Sequence, residues 1–297
     1  DMDMLSLHQA PAIRPWVKQP VSHSVQPFAN IRIATLGSCP AGPITDCGPS
    51  HETFFPKLNQ HPRNLGVLRQ IVWDNLLADR VAKLLAQSKL VKKAVVLALD
   101  GVVDHDGVLD RNRTEVYVPN EFVAEATARH GNLLFGASVN PYRKDALERL
   151  ERVKAQGAVL VKWIPSVMEI DPADPRLKAF YLKLVELDLP LLTHAGEERS
   201  FSSASDSFCD PDRLRLPLSL GVTVIAAHIG STGKYQGERS SDRLARLMRE
   251  YPNLYSDISS LTQINKHGYL KEALTRPEFK GRLLYGSDFP LINTPLV

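Results

Sequence analysis

Apolar runs of strand length recur along the chain and alternate with segments of helical pattern. The first run, NIRIATLG at residues 30–37, is rich in β-branched side chains. Seven further runs follow at residues 93–100, 132–141, 158–165, 189–196, 222–230, 253–259 and 282–290. Their apolar residues are continuous and do not alternate with polar ones, which is typical of strands covered on both faces. The pattern therefore predicts eight buried strands.

The segments between these runs carry apolar residues three and four positions apart, which predicts amphipathic helices. Predicted helices occupy residues 65–90, 120–131, 144–157, 174–188, 210–221, 241–253 and 269–281. Alternating strands and helices imply a parallel sheet, and eight such units in one chain predict an α/β fold of the TIM (β/α)8 barrel type. A doubly wound sheet is the alternative, but no Gly-x-Gly-x-x-Gly follows the first strand.

The sequence divides into an arm and one domain. Residues 1–28 hold four prolines among polar residues and predict an irregular N-terminal arm, whereas residues 29–297 predict a single barrel domain. Residues 38–63 are rich in glycine and proline, which predicts a long loop. The sequence ends seven residues after Pro290, before another helix could form, so the last barrel helix is expected to be missing from this chain.

Composition excludes several classes of protein. The formal charge is only +3, from 36 basic and 33 acidic residues, and no dense Lys/Arg run suggests a nucleic-acid surface. The three cysteines, Cys39, Cys47 and Cys209, form no CxxC pair, so neither a disulfide framework nor a thiolate zinc site is indicated. No apolar run is long enough to span a membrane, and residues 1–20 show no basic stretch followed by a long apolar one, so no signal peptide is expected. We expect a cytoplasmic protein with no membrane partner.

Polar residues recur at the ends of the predicted strands, which is where a TIM barrel carries its chemistry. In chain order they are Asn30, Arg32, Asp100, Asn140, Lys162, His194, His228, Asp257 and Asp288. Neutral imidazole and carboxylate are common Zn²⁺ ligands, and a bound cation activates water near neutral pH. Each residue also has a structural explanation, as a hydrogen-bonded core histidine, a turn-capping aspartate or a lysine that reaches solvent.

Several sequence motifs fall at these strand ends in a recognisable order. They are FGASVNP, VKWIPSVMEIDP, LPLLTHAGEE, VTVIAAHIGS, NLYSDIS and LLYGSDFP. Over residues 90–292 the chain resembles the amidohydrolase superfamily of metal-dependent TIM-barrel hydrolases, and within it the amidohydrolase-related group (family 2), which includes some decarboxylases. The resemblance implies a metal-activated water that attacks a carbon–nitrogen, ester or lactone bond of a small molecule, or a decarboxylation. It also implies a divalent metal, first of all zinc, and frequent association as a homodimer.

The resemblance also implies roles for individual residues. His194 matches the family's fifth-strand metal ligand, and His228 matches the sixth-strand histidine that binds a second metal or polarises the substrate. Asp288 matches the eighth-strand aspartate, which contacts the metal and moves the proton of the attacking water. Lys162 lies on the fourth strand, where some members carry a metal-bridging carboxylated lysine and many others have none.

The first strand departs from the family pattern. The family has His-x-His at the end of this strand, but no His-x-His occurs in the sequence, and Asn30 and Arg32 occupy the corresponding positions. A guanidinium stays protonated and has no lone pair to give a metal. Arg32 would also repel a divalent cation and attract Asp288.

Three hypotheses follow. The first is a metal-dependent hydrolase whose missing ligands come from the N-terminal loops, for example His23 or His51. The second is a metal-free barrel in which Arg32 pairs with Asp288. Such a barrel either binds a small anionic ligand or carries out chemistry without a metal, and the positive Arg32 and Lys162 favour a carboxylate or phosphate. The predicted substrate-binding residues are Arg32, Lys162, Asn30 and Glu197. The third is a non-catalytic homologue. Glu197 and Glu198, which follow Gly196, are compatible both with an organised metal site and with a polar binding pocket.

Overall fold

A computed structural model describes residues 31–35 by their backbone, together with residues 77–198, 201 and 205–289. The predicted N-terminal arm, Asn30, the loop at 38–63, the first part of the first helix and the residues beyond Phe289 lie outside the described residues. No helix in the described part of the chain is long and apolar enough to cross a membrane.

Eight parallel strands form the centre of the molecule, and each predicted strand run contains one of them. They are β1 (Ile31–Thr35), β2 (Lys93–Leu97), β3 (Leu133–Ala137), β4 (Leu160–Trp163), β5 (Leu191–Thr193), β6 (Val224–Ala226), β7 (Leu254–Asp257) and β8 (Leu283–Leu284). Each strand pairs in parallel with the next one along the chain, so the sheet runs in order from β1 to β8. This order is that of a TIM barrel.

The apolar side chains divide into two cores, which shows that the sheet is curled. The smaller core joins residues of strands that are not neighbours in the sheet: Val95, Leu97, Leu160, Leu192, Ile225, Ala227 and Leu284. Side chains from β2 and β8 meet in one cluster only if the sheet closes around them. The larger core lies between the outer face of the strands and the helices. Strands buried on both faces explain the continuous apolar runs.

Helices cover the outer face of the sheet. They are α1 (77–87), α2 (Asn120–Ala128), α3 (Ala146–Ala155), α4 (Pro165–Met168), α5 (Lys178–Glu186), α6 (Arg215–Ser219), α7 (Ser240–Glu250) and α8 (Tyr269–Thr275). Several predicted helices begin or end with a short 3-10 turn, such as Pro175–Leu177 before α5 and Pro277–Phe279 after α8. The short helix α4 and the hairpin of Lys234–Tyr235 and Glu238–Arg239 have no counterpart in the sequence prediction.

Gly136 on β3 is expected to tolerate no side chain, because it faces the inner core. A Cβ atom there would lie 2.6 Å from Leu97 Cδ2 and 2.8 Å from Val95 Cγ1. Overpacking of this kind costs about 1–3 kcal/mol, so Gly136→Ala should lower the free energy of unfolding by that amount in urea titrations. Gly131→Ala is the matched control, because a Cβ there meets nothing within 4 Å. Equal effects of the two substitutions would contradict an inner core at β3.

Candidate active site

A narrow cavity lies at the carboxyl ends of the strands. It is lined by Leu97, Lys162, Leu192, Ala227, His228, Asp257, Ser259 and Asp288. His194, at the end of β5, packs against His228 with its ring centroid 5.2 Å away and an interplanar angle of 63°. The structure therefore brings together four of the predicted strand-end residues on the cavity wall, Lys162, His228, Asp257 and Asp288, and places His194 against one of them, His228.

His228 lies in an unusual turn directly after β6. His228 and Ile229 have backbone φ values of 59° and 50°, a left-handed conformation that a β-branched residue rarely adopts. Two side chains of β7 hold the turn in place. Asp257 Oδ1 accepts the His228 N–H at 2.9 Å, and Ser256 Oγ accepts the Ile229 N–H at 3.1 Å. Ser256 in turn donates to the carbonyl of Ala226 at 2.6 Å.

Backbone strain is concentrated around this cavity. Among the described residues, seven non-glycine residues have positive φ, and four of them are His228, Ile229, Ser260 and Asp288. Such conformations cost free energy and persist only where the surroundings enforce them, so they cluster at functional sites. The clustering is independent support for a site at the ends of β6, β7 and β8.

His194 is buried and uncharged at neutral pH. Its Nδ1 lies 3.4 Å from Glu198 Oε2, whereas its Nε2 is buried and has no hydrogen-bond partner among the described residues. Burial lowers the pKa of His194 to about 4, although the Glu198 carboxylate acts in the opposite direction. Because a carboxylate only accepts hydrogen bonds, the ring proton belongs on Nδ1 and Nε2 keeps its lone pair.

Asp288 occupies the cavity wall just after β8. Burial raises the pKa of its carboxyl group, with Asp257 and Glu198 acting in the same direction and Lys162 and Lys266 opposing them. The N–H of the next residue, Phe289, donates to Ser287 Oγ at 3.3 Å. Ser287 therefore caps this turn, and the Asp288 side chain lines the cavity.

Two buried lysines complete the charged groups at this end of the barrel. Lys162 is 5% exposed and burial lowers its pKa, while the carboxylates of Asp257 and Asp288 oppose that shift. Lys266 Nζ donates to Ser260 Oγ at 2.5 Å. Sequence reasoning missed Lys266, which lies nine residues after Asp257 in the 3-10 turn Ile264–Lys266 and carries no pattern that points inward.

Asp100 and Asn140, also predicted from their strand-end positions, are engaged in structural contacts. Asp100 accepts from Arg143 Nε at 2.6 Å and from Nη2 at 2.5 Å, and both side chains are under 10% exposed. Asn140 Nδ2 donates to the carbonyls of Gly101 and Met168 at 2.9 Å. These bonds join the loops that follow β2, β3 and β4.

Of the remaining predicted residues, the structure describes Glu197 fully, Arg32 by its backbone, and Asn30, His23 and His51 not at all. Arg32 is the second residue of β1 and lies beside Ala94 near the start of β2, so the prediction that it stands at the carboxyl end of its strand is wrong. Glu197 lies against Gly233, and its carbonyl accepts from Thr232 Oγ1 at 2.8 Å. A role for Glu197 and Arg32 in substrate binding stays a prediction.

A comparison with protein families bears on this geometry. The model of the amidohydrolase family, described as "Amidohydrolase", matches residues 94–296, which is more than half of the chain. The chain belongs to the amidohydrolase family. The match covers every described residue that lines the cavity, and the family resemblance noted in the sequence is thereby confirmed.

One solved TIM-barrel structure agrees with this chain on the fold, and two others are similar at lower scores. An uncharacterized TIM-barrel protein from Bordetella bronchiseptica matches with a TM-score of 0.54 at 15% identity, over 88% of this chain and 86% of that one. IDCase from Metarhizium anisopliae in apo form gives 0.49 at 13%, over 91% and 86%. A 5-carboxyvanillate decarboxylase from Novosphingobium aromaticivorans with bound manganese gives 0.48 at 11%, over 89% and 88%. At these identities the likeness concerns the fold alone. No curated protein matches the sequence.

The family implies a divalent metal ion, and the histidine and aspartate side chains of the site have donor atoms of the kind that such an ion binds. Burial lowers the pKa of His194 and of His228, so both rings are neutral at neutral pH. The buried Nε2 of His194 therefore has a lone pair that it can give to a metal ion. Neutral imidazoles and a carboxylate fit Zn²⁺ or a similar ion chemically. Within the part of the chain that the structure describes, no three His, Cys, Asp or Glu side chains are grouped so that they could hold an ion.

Proposed function

We propose that this amidohydrolase is a metal-dependent enzyme, with zinc as the first candidate ion. It would hydrolyse a carbon–nitrogen, ester or lactone bond of a small molecule, or decarboxylate it. The observation that carries the proposal is the buried Nε2 of His194, which has a lone pair and no hydrogen-bond partner in the part of the chain that the structure describes. A buried nitrogen without a partner is costly, and a bound cation would satisfy it.

The residues of the cavity would then have distinct tasks. His194, His228 and Asp288 are the proposed ligands of the ion. Because no three described side chains are grouped so that they could hold it, further ligands would come from the N-terminal loops, for example His23 or His51. When bound, the ion lowers the pKa of a water molecule and polarises a carbonyl group. The carboxylate of Asp288 would take the proton of the attacking water, and its raised pKa suits a general base. Lys162 on the cavity wall would bind an anionic group of the substrate. Homodimer formation and a cytoplasmic location stay predictions.

A second candidate is a metal-free barrel that binds a small carboxylate or phosphate. It is favoured by two buried ammonium groups near the histidines, those of Lys162 and Lys266, which are 5% and 9% exposed. Both act to lower the pKa of His228, so positive charge is already present beside the proposed ligands.

Metal analysis of the purified protein separates the two candidates. The first expects close to one equivalent or more of a divalent ion after reconstitution with Zn²⁺ or Mn²⁺ at neutral pH, and loss of the ion to a chelator. Less than about a tenth of an equivalent would exclude it. The second expects small carboxylic acids to raise the melting temperature of metal-free protein, and Lys162→Met to abolish that rise.

Metal affinity should depend on the carboxylate that orients His194. Glu198→Gln removes the negative charge that attracts the Nδ1 proton of His194. Loss of such an orienting group typically lowers metal affinity by about 10- to 100-fold. Competition with a chelator of known affinity measures the change. Glu197→Gln is the matched control, because Glu197 lies against Gly233 and its affinity change should be small. Equal losses in both variants would contradict a specific contact between Glu198 and His194.

A further inference from the structure

The contacts around His228 Nδ1 determine where this ring carries its proton. Nδ1 lies 2.9 Å from the carbonyl oxygen of Ser259, 2.7 Å from Ser259 Oγ and 3.2 Å from Ser260 Oγ. A carbonyl oxygen has no hydrogen to donate. The contact of 2.9 Å is therefore a hydrogen bond only if Nδ1 is the donor.

The hydroxyl group of Ser259 is oriented by Asp257. Ser259 Oγ lies 2.5 Å from Asp257 Oδ1, and an ionised carboxylate only accepts, so the hydroxyl hydrogen is directed at Asp257. The lone pairs of Ser259 Oγ then face Nδ1 as a second acceptor. Asp257 Oδ1 also accepts the backbone N–H groups of His228 at 2.9 Å and Ser259 at 3.0 Å, so one oxygen holds the turn and the hydroxyl together.

Ser260 makes the longest of the three contacts. Its hydroxyl oxygen accepts a hydrogen bond from Lys266 Nζ at 2.5 Å, which uses one of its lone pairs. Its distance of 3.2 Å from Nδ1 makes it the weakest neighbour of the ring nitrogen. The carbonyl and the hydroxyl of Ser259 therefore dominate.

We propose that Asp257 and Ser259 are positioning residues that keep the proton of His228 on Nδ1. The lone pair of the neutral ring is then on Nε2, at the opposite edge of a side chain that lines the cavity. There it is available to bind an ion or to accept a proton. This inference concerns the site of the proposed function, and the role given to the free Nε2 rests on that function. The tautomer itself requires no metal, so the two ideas can fail separately.

The first experiment reads the tautomer directly. Protein labelled with ¹⁵N-histidine is stripped of metal with a chelator, and the ring nitrogens are observed by NMR at neutral pH. His228→Gln identifies the signals of His228 by their loss. We expect a protonated Nδ1 and an unprotonated Nε2. A protonated Nε2 would overturn the proposal, whatever the metal analysis shows.

The second experiment tests the two positioning residues. Asp257→Ala frees the Ser259 hydroxyl to donate to Nδ1, so a fraction with protonated Nε2 should appear. Asp257→Asn keeps an acceptor oxygen of the same shape and should retain the wild-type tautomer. In the double variant Asp257→Ala with Ser259→Ala, no hydroxyl competes at 2.7 Å, and the Nδ1–H form should return.

Ser256→Ala is the matched control for these variants. Ser256 is a buried serine on the same strand as Asp257. Among the described residues its hydroxyl bonds backbone groups, the N–H of Ile229 in the turn and the carbonyl of Ala226 at the end of β6. We expect its loss to destabilise the turn without changing the tautomer of His228. If Ser256→Ala and Asp257→Ala shift the tautomer equally, turn strain and not the hydroxyl sets it, and the proposal is wrong. Where Asp257→Ala does not fold, the wild-type measurement still decides the tautomer.

Discussion

Replacing Arg143 by alanine should lower the free energy of unfolding by roughly 3–5 kcal/mol, which is the usual cost of leaving one partner of a buried ion pair alone. Asp100, 4% exposed, would lose two hydrogen bonds from the guanidinium and keep those from the N–H groups of Gly101 and Asn140. Its charge would remain in a site closed to water. Urea unfolding at neutral pH, followed by circular dichroism, measures the change.

Arg113→Ala is the matched control for this experiment. Arg113 is also paired with a carboxylate, that of Glu169, but their side chains are 48% and 45% exposed. Solvent screens such a pair, so its removal should leave the midpoint of unfolding almost unchanged. If the two substitutions have the same effect, the Asp100–Arg143 pair is not buried in solution. Arg143→Lys would separate charge from geometry, because an ammonium cannot make the two-pronged contact.

Acidification should destabilise the metal-free protein because His194 is held neutral. In the unfolded chain an imidazole titrates near pH 6.5, whereas in the folded protein burial lowers the pKa of His194 to about 4. Between these values the unfolded state binds more protons, so stability falls as the pH is lowered from 6.5 to 4. For His194 alone the loss amounts to roughly 3 kcal/mol. His228, whose pKa is also lowered, adds to the same slope.

Urea unfolding between pH 4 and pH 7 tests this expectation. His194→Gln removes the titrating group, so its stability should change by roughly 3 kcal/mol less than that of the wild type over this range. His105→Gln is the control, because the His105 side chain is 90% exposed, and the wild-type slope should be kept. A His194→Gln variant with the full wild-type slope would show that His194 is not the group held neutral.

The strands were the most predictable part of the fold. A strand covered on both faces needs apolar residues at every position, and this makes a short run visible in the sequence even where, as in β5 and β6, the strand has three residues. The predicted helices were less accurate than the predicted strands, because a proline favours the start of a helical turn but does not determine whether that turn is 3-10 or α-helical. Residues 174–188 accordingly form a 3-10 turn at Pro175–Leu177 followed by a separate α-helix.

The histidines and Asp288 of the site could be found from sequence because parallel strands of a barrel end at one level. Residues beyond the strand ends could not. Glu197 and Glu198 are adjacent and chemically alike, but Gly196 has a φ of 91° and turns the chain. As a result Glu197 lies against Gly233, and Glu198 approaches His194. The periodicity of apolar residues carries no information about such a turn. Lys266 was missed for the same reason, because it lies in a short 3-10 turn beyond a strand end.

Asp100 shows a related limit. Its position before Gly101 suggested either a turn cap or a site residue, and its carboxylate does accept the N–H of Gly101 at 2.9 Å. Its main partner, however, is Arg143, 43 residues away. A long-range pair of this kind leaves no mark in a single sequence, since each residue alone has several local explanations.

The single oxygen of Asp257 that holds both the His228 turn and the Ser259 hydroxyl makes two loops one mechanical unit. The loop after β6 should not be exchangeable independently of the loop after β7, because Asp257 and Ser256 hold the left-handed turn at His228 and the His228 ring in turn contacts Ser259. Loop grafting into this barrel should therefore succeed only when residues 227–230 and 256–260 are moved together.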